Sequence, residues 1–248
     1  RGPPPSFAQR SIPVSFRGVP RSFIPFYWPG RTDVWHERLQ SGSFGNFWLT
    51  EQPLIVTVGG VSGTFTSSES AYQAMKWWFD DAVRRQFEQA ADGDAAFALK
   101  LAIEAQRGVS KVWRRQEPVL SLSTDEQLRA LTHDAAHAAE QLTAWRAMEL
   151  VLRAKYAAST QMRARLLASG DAFLLEHNPV RGRDLVWSDN NVGDGNNWLG
   201  LMLMQLRELW APNTLPTWAA DTADRKAFQA LACRACAASE AFWRGYDI

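Results

Sequence analysis

The sequence holds two cysteines in 248 residues, which excludes a disulfide scaffold. No window approaches 18 consecutive apolar residues, so no membrane-spanning helix is expected. Net charge is nearly absent, with 27 basic and 26 acidic residues giving +1. That balance argues against non-specific coating of duplex DNA, which needs a cationic surplus. It leaves open the capture of one extruded nucleotide in a pocket. Acidic residues are missing before Asp33, and seven of the 12 prolines fall within residues 1–30. This stretch lacks the apolar segment of a signal peptide. Its Arg and Ser content resembles an organelle-targeting segment, but the prolines deny it an amphipathic helix. Residues 1–22 therefore read as an extended arm, with organelle targeting kept open. A chain that begins at Arg1 rather than Met is expected to be a fragment or a processed product. GxSxG, Walker and GxGxxG signatures are also missing.

What is present is ordinary globular material. Hydrophobic residues make up 46 % and charged residues 21 %, enough to exclude disorder of the whole chain. The 12 tryptophans suit both cores and base-stacking sites. Residues 54–58 and 61–66 flank Gly59-Gly60 and predict a β-hairpin. Ser67-Ser68-Glu69 then offers a serine cap to a helix running to about Phe79. Helical spacing continues from Asp81 to Gly170. A short strand is expected over 172–177, a Gly/Asn/Asp-rich loop over 179–197, a buried helix over Trp198–Trp210, and an Ala-rich helix over about 220–243. This order is not a regular βαβ alternation. It predicts an α+β fold, a predominantly helical single domain with a small β-sheet.

On a helical wheel Glu69, Gln73 and Lys76 form a polar stripe, beside an apolar stripe of Tyr72, Met75 and Phe79. The apolar stripe reads as core. The polar stripe reads by periodicity as a solvated face. Yet Glu69 and Lys76 lie about 10 Å apart along the axis, too far for a local ion pair. They can converge on something held between them. Lys76 is one of only five lysines, against 22 arginines.

Loops as long as 184–200 are costly to order unless they serve a purpose. Asp184, Asp189 and Asp194 could ligate a cation, but their spacing does not fit an EF-hand and no closing Glu follows. No metal and no cofactor is expected. The Gly193–Gly200 segment opens a helix, whose N–H groups could hold phosphate. Cys233-Arg-Ala-Cys236 has CxxC spacing without a preceding strand or a second pair, and the bland reading is preferred. His133 and His137 lie one turn apart with no further ligand, so a surface or packing role is preferred.

Taken in order, several segments resemble the NADAR family, the YbiA-like NAD- and ADP-ribose-associated domains. They are Ile24-Pro-Phe-Tyr27, Phe44-Gly-Asn-Phe47, and Ser68-Glu-Ser-Ala-Tyr-Gln-Ala-Met-Lys76. Further on come Met148 to Tyr156, Leu166 to Gly170, Leu174-Leu-Glu-His177 and Asp184-x-x-Trp187-Ser-Asp189. The last are Gly195-x-Asn197-x-Leu199-Gly200 and Leu203-Met204-x-x-Arg207. The likeness covers roughly residues 24–211. Ser70 stands where the family usually has His, so a role for that His does not carry over. Ser188 and Asn190 replace glycines around Asp189. The family's mid-chain Trp corresponds to Trp113 or Trp145.

The resemblance implies an N-glycosidase that cleaves ribose from an exocyclic amine. Its preferred substrate is ADP-ribosylated guanine in nucleic acid or nucleotide, with ADP-ribose as product. The alternatives are ribosylamino-pyrimidine intermediates of riboflavin synthesis, or non-catalytic ADP-ribose binding. Glu69, Lys76 and Asp189 are the implied catalytic residues. Lys76 would attack the anomeric carbon to form a Schiff base, Glu69 would move protons, and Asp189 would orient ribose hydroxyls or water. The rival route is direct displacement through an oxocarbenium ion. Tyr27, Gly45, Asn46, Phe47, Gln73, Asp184, Trp187, Gly195, Asn197 and Arg207 are the implied ligand-binding residues. Trp187 and Phe47 are suited to stacking, and the amides to hydroxyl or base-edge contacts. Arg207, on a buried helix, is expected either to reach a diphosphate or to pair with a carboxylate. The implied organisation is an arm over 1–22, a catalytic domain over 23–211 and a helical extension over 212–248 packed on it. A monomer acting inside the cell, in cytoplasm or nucleus and away from membranes, is expected.

Overall fold

The computed structural model describes residues 11–27, 39–108 and 121–244, with side chains described through residue 239. Trp113 and residues 1–10 of the expected arm lie outside the described residues. The chain divides into two compact units, one of residues 46–163 and one of residues 1–45 with 164–248.

In the 46–163 unit, β3 (Leu49–Val58) and β4 (Val61–Ser67) form the expected antiparallel hairpin. Gly59 and Gly60 both have positive φ, 57° and 77°, as a two-residue turn matched to strand twist requires. Leu54, Val56 and Val58 are buried while Ile55 is exposed, the period-2 pattern of a strand with one covered face. The helices follow as α1 (Ser68–Ala74), α2 (Asp81–Glu88), α3 (Gly93–Arg107), α4 (Asp125–His133), α5 (Ala135–Gln141) and α6 (Ala144–Ala158), and the unit ends within α7 (Thr160–Ala168). Short polar side chains cap their starts. Ser67 accepts from the Ser70 amide, Asp80 from Val83 and Asp92 from Ala95. Thr124 and Gln127 close a reciprocal capping box on α4. The Trp78 indole, 2 % exposed, donates to the Val58 carbonyl at 3.1 Å and ties the chain after α1 to the hairpin.

The apolar stripe follows expectation at Tyr72 and Met75, which are buried, and departs from it at Phe79, which is 47 % exposed. The reason is local. After Ala74 the helix tightens into a 3-10 turn over Met75–Trp77, so the 3.6-residue register that would carry Phe79 inward is lost.

In the other unit, β1 (Ile12–Phe16) and β2 (Val19–Phe26) form an antiparallel pair turning at Arg17 and Gly18. β2 pairs in parallel with β5 (Phe173–Glu176), with Phe23 opposite Phe173 and Phe26 opposite Glu176. Residues 12–22 of the expected arm are therefore largely paired strand. The helix α8 (Trp198–Trp210) is buried along most of its length, including Leu199, Met202, Leu203 and Met204. It lies against β5 so closely that a Cβ on Gly200 would stand 2.1 Å from the Leu174 carbonyl oxygen. The helix α9 (Thr222–Arg244) places Phe228 among Phe16, Phe23, Phe173 and Trp218, with centroid separations of 4.6–6.4 Å. The fully buried rings of Phe23, Phe173 and Phe228 each contribute about 1.5–3 kcal/mol. The fold is α+β and predominantly helical with small sheets, as expected. Among the described residues no helix is long and apolar enough to cross a membrane.

Candidate active site

Asn46, Phe47, Glu69, Gln73 and Lys76 fall in the 46–163 unit, and α1 organises them. The Glu69 amide donates to the Asn46 carbonyl at 2.9 Å, fixing the chain before β3 against the first turn of α1. The stripe that periodicity assigned to solvent is in fact interior, with Glu69 at 5 %, Gln73 at 5 % and Lys76 at 9 % exposure. The Gln73 amide nitrogen donates to Glu69 Oε1 at 2.6 Å, one helical turn away. Among the described residues Gln73 Oε1 and Asn46 Oδ1 are buried acceptors with no hydrogen-bond partner. Such atoms are costly to leave unsatisfied, and their common property is a demand for a donor. The Asn46 nitrogen meets Met148 Sδ at 3.6 Å. Phe47 is half-buried, 6.4 Å from the Phe97 ring. A Cβ at Gly93 would come within 2.6 Å of it, so the start of α3 is shaped to receive that ring.

Sequence reasoning missed the residues that face Lys76. Glu104 and Lys100, on α3, form a ladder of charges with it. Lys76 Nζ lies 3.3 Å from Glu104 Oε1, and Lys100 Nζ lies 2.8 Å from Glu104 Oε2. Burial pushes the Lys76 amine below the ordinary lysine range. Glu104 opposes that shift, Lys100 reinforces it, and Glu69 opposes it. The only sequence signal for Glu104 was its place on an amphipathic helix with Lys100 at i−4. Contact with Lys76 spans 28 residues and is invisible to local periodicity.

A second buried amine also escaped the site reading. Lys155, on α6, is fully buried, and burial lowers it to about 7. Its ammonium sits 5.7 Å from the Tyr156 ring centroid. Trp145, at the start of the same helix, is buried with its indole donating to the Ser121 carbonyl.

Tyr27, Gly45, Asp184, Trp187, Asp189, Gly195, Asn197 and Arg207 lie in the other unit. Tyr27 is buried at the end of β2, and its carbonyl oxygen would stand 2.7 Å from a Cβ on Gly45. The loop from 178 to 197 is knotted around the Asp189 carboxylate, which is fully buried. Oδ1 accepts from the Asn178 and Asn191 amides at 3.1 and 2.8 Å. Oδ2 meets His177 Nδ1 at 2.5 Å and accepts from Cys233 Sγ at 3.0 Å. Those four partners engage both oxygens, so Asp189 organises its loop from within. Burial, first of all, and the neighbouring carboxylate hold the Cys233 thiol well above its ordinary pKa. His177, Asp189 and Cys233 offer metal-capable atoms within 4.8 Å of one another. Their contacts are nonetheless those of hydrogen bonds, tighter than the roughly 3.3 Å between donors around a tetrahedral zinc.

The glycine replacements around Asp189 have a physical reading. Asn190 has φ of 60° and Asn191 of 72°, the left-handed region that Asn tolerates best after Gly. Ser188 Oγ donates to the Asp184 carbonyl and accepts from the Asn190 amide. Asp184 accepts from the Val186 and Trp187 amides at 2.8 and 2.9 Å, an Asx turn. Trp187 is half-buried and meets Trp198 edge-on at 5.8 Å.

The expected phosphate cradle is otherwise engaged. The amides of Gly195, Asn196, Asn197, Trp198 and Leu199 donate to the carbonyls of Asp189, Leu185, Ser188, Val186 and Trp187. With its donors satisfied inside the loop, the start of α8 offers no open anion site through these groups. Gly195 is required because a Cβ there would stand 2.1 Å from the Ser188 carbonyl oxygen. Asn197 brackets β5, accepting from the Glu176 amide and donating to the Leu174 carbonyl, both at 2.9 Å. Among the described residues Arg207 is held by a hydroxyl and two carbonyls rather than by a carboxylate. Its guanidinium donates to Ser169 Oγ and to the Ala172 and Thr214 carbonyls at 2.7–2.9 Å, and burial lowers it to about 10. The helix α9 closes over the loop through one face. Lys226 Nζ donates to the Asp194 and Gly195 carbonyls and to Asn196 Oδ1. Gln229 donates to the Gly193 and Gly195 carbonyls, and Cys233 reaches Asp189 from the same stripe.

No family model matches the chain. It is 33 % identical over 167 residues to a riboflavin biosynthesis protein of Vibrio vulnificus, a match covering 67 % of this chain and 35 % of that protein. It thus spans about a third of the length of that curated relative. It is 28 % identical over 167 residues to the N-glycosidase YbiA of Shigella flexneri, covering 67 % of this chain and 80 % of that one. The solution structure of Escherichia coli YbiA aligns at 27 % identity with a TM-score of 0.45, covering 76 % of this chain and 84 % of that one.

Proposed function

Because the chain belongs to the NADAR family of YbiA-like proteins, we propose that it is an N-glycosidase that cleaves ribose from an exocyclic amine. Its substrate in this reading is ADP-ribose joined to the 2-amino group of guanine. The observation that carries the reading is Lys76, an amine held in the interior with its charge disfavoured by burial. A nucleophilic amine must be unprotonated at working pH, and desolvation is the ordinary means to that end. The name of the Shigella relative, an N-glycosidase, supports action on a glycosidic nitrogen bond.

In this mechanism the ribose ring opens, and the C–N linkage to guanine becomes an imine. Lys76 Nζ adds to that anomeric carbon, the guanine amine leaves with a proton, and a Lys76 Schiff base remains. Water then adds to the imine carbon and frees both the lysine and ADP-ribose. Glu69 moves the protons, oriented by the Gln73 amide nitrogen at 2.6 Å. The unpartnered acceptors Gln73 Oε1 and Asn46 Oδ1 take donors from the ligand, which a ribose hydroxyl or a base N–H provides.

A second reading is favoured by the Vibrio relative, whose name places it in riboflavin biosynthesis. There the same amine would act on a ribosylamino-pyrimidine. The deciding experiment incubates the protein with guanine-ADP-ribosylated oligonucleotide and, separately, with the riboflavin intermediates. Release of ADP-ribose from the first, abolished in Glu69→Gln and Lys76→Ala, is the expected result. Turnover of the second substrate alone would transfer the reading to riboflavin chemistry. Binding without turnover of either would make the protein a reader. Full activity in both variants would refute the site.

A further inference from the structure

The α3 helix brings to Lys76 a carboxylate that is shared between two amines. Glu104 offers one oxygen to Lys100 at 2.8 Å and the other to Lys76 at 3.3 Å. All three side chains are largely buried, with 10–17 % of their surface exposed. Lys100 is further fixed by the face of Phe97, its ammonium 5.2 Å from the ring centroid. The contacts are unequal. The shorter is the i,i+4 pair within one helix, and the longer is the tertiary pair to Lys76. A carboxylate devoted to a single buried ammonium would hold it charged. A carboxylate already claimed by a second cation steers the first while binding it less firmly.

We infer that the Glu104–Lys100 pair is a positioning device for Lys76, in which Glu104 aims the amine and Lys100 competes for Glu104 so that the amine can be released. This rests on the proposed role of Lys76 and adds two residues to it. Among the described residues, the charged groups facing Lys76 are Glu104 and Lys100 from α3 and Glu69 from the first turn of α1. Glu69 favours the ammonium, as Glu104 does, and is retained in every variant below. Simple charge neutralisation in a core would make both α3 residues structural. The release device makes them act in opposite directions.

The test labels the intact protein with trace acetic anhydride across pH and quantifies acetylation at Lys76 by peptide mass spectrometry. Glu104→Gln removes the group that favours the ammonium, so half-labelling should move to lower pH by on the order of one unit. Lys100→Met removes the competitor while keeping the stem on Phe97, so half-labelling should move to higher pH. Glu104→Asp should fall between wild type and Glu104→Gln. It also keeps the test open if the amide variant fails to fold. Unchanged midpoints, or shifts of the same sign in the Glu104→Gln and Lys100→Met proteins, would overturn the inference. The readout does not need substrate. If Lys76→Ala retains full turnover while the opposed shifts appear, the proposed function fails and the coupling stands. If Lys76→Ala is inactive and the midpoints do not move, the coupling alone fails.

Discussion

At Lys76 the sign of the pH response can be worked out directly. Attack needs the neutral amine, whose fraction rises with pH through the amine's pKa. Burial lowers that pKa, while Glu104 partly restores it. Glycosidase activity should therefore rise with pH on its acid limb and level off below the ordinary lysine range, as a pH profile of kcat/KM would record. Gln73→Leu deletes the donor to Glu69 Oε1 and the unpartnered acceptor together. It should lower kcat by about 10- to 100-fold, in line with loss of one or two oriented polar contacts, while the melting temperature changes little. Lys155 reports on stability instead. Burial lowers it to about 7 in the folded chain, against the ordinary 10.5 of a solvated lysine. The unfolded chain thus binds more protons between those values, and stability rises with pH across that window. Melts from pH 7 to 8.5 should show a rising Tm, and Lys155→Met should flatten the slope.

Among the elements, the hairpin was legible because Gly59-Gly60 sits between two alternating runs, and α1 because Ser67 precedes it. The buried α8 announced itself by an apolar surface nearly all round. The end of α1 was not legible, since the tightening over Met75–Trp77 carries no local signature. Glycine-rich sequence at 193–200 read as a phosphate cradle, whereas Gly195 and Gly200 serve close backbone approach to Ser188 and Leu174. Partners of the loop on α9 lie 30–44 residues away in sequence, beyond any periodicity argument. That clamp is testable. Lys226→Met leaves three acceptors without their ammonium and should cost about 1–3 kcal/mol. Hydrogen exchange at amides 190–197 should accelerate in the variant. Protection equal to wild type would mean the loop holds itself. Gly195→Ala should be at least as damaging, because its Cβ would meet backbone rather than a movable side chain.

For the molecule as a whole, a formal charge of +1 leaves little electrostatic attraction for an unmodified duplex. Mobility-shift titration with plain duplex DNA at physiological salt should show no complex at micromolar protein, even where an ADP-ribosylated strand is processed. Tight, steeply salt-dependent duplex binding would show that a local basic surface outweighs the balance. The fold class and the residues of α1 could be read from sequence because they are local. The charge ladder on Lys76 and the saturation of Asp189 could not, because tertiary approach creates them.

In the proposed mechanism one interior amine becomes covalently joined to the ribose. Borohydride added during turnover of guanine-ADP-ribosylated oligonucleotide should reduce the intermediate to a stable adduct, and peptide mapping should place it on Lys76. An adduct on Lys155 would move the chemistry to the other buried amine. Undiminished turnover with no adduct on either lysine would exclude a lysine Schiff base.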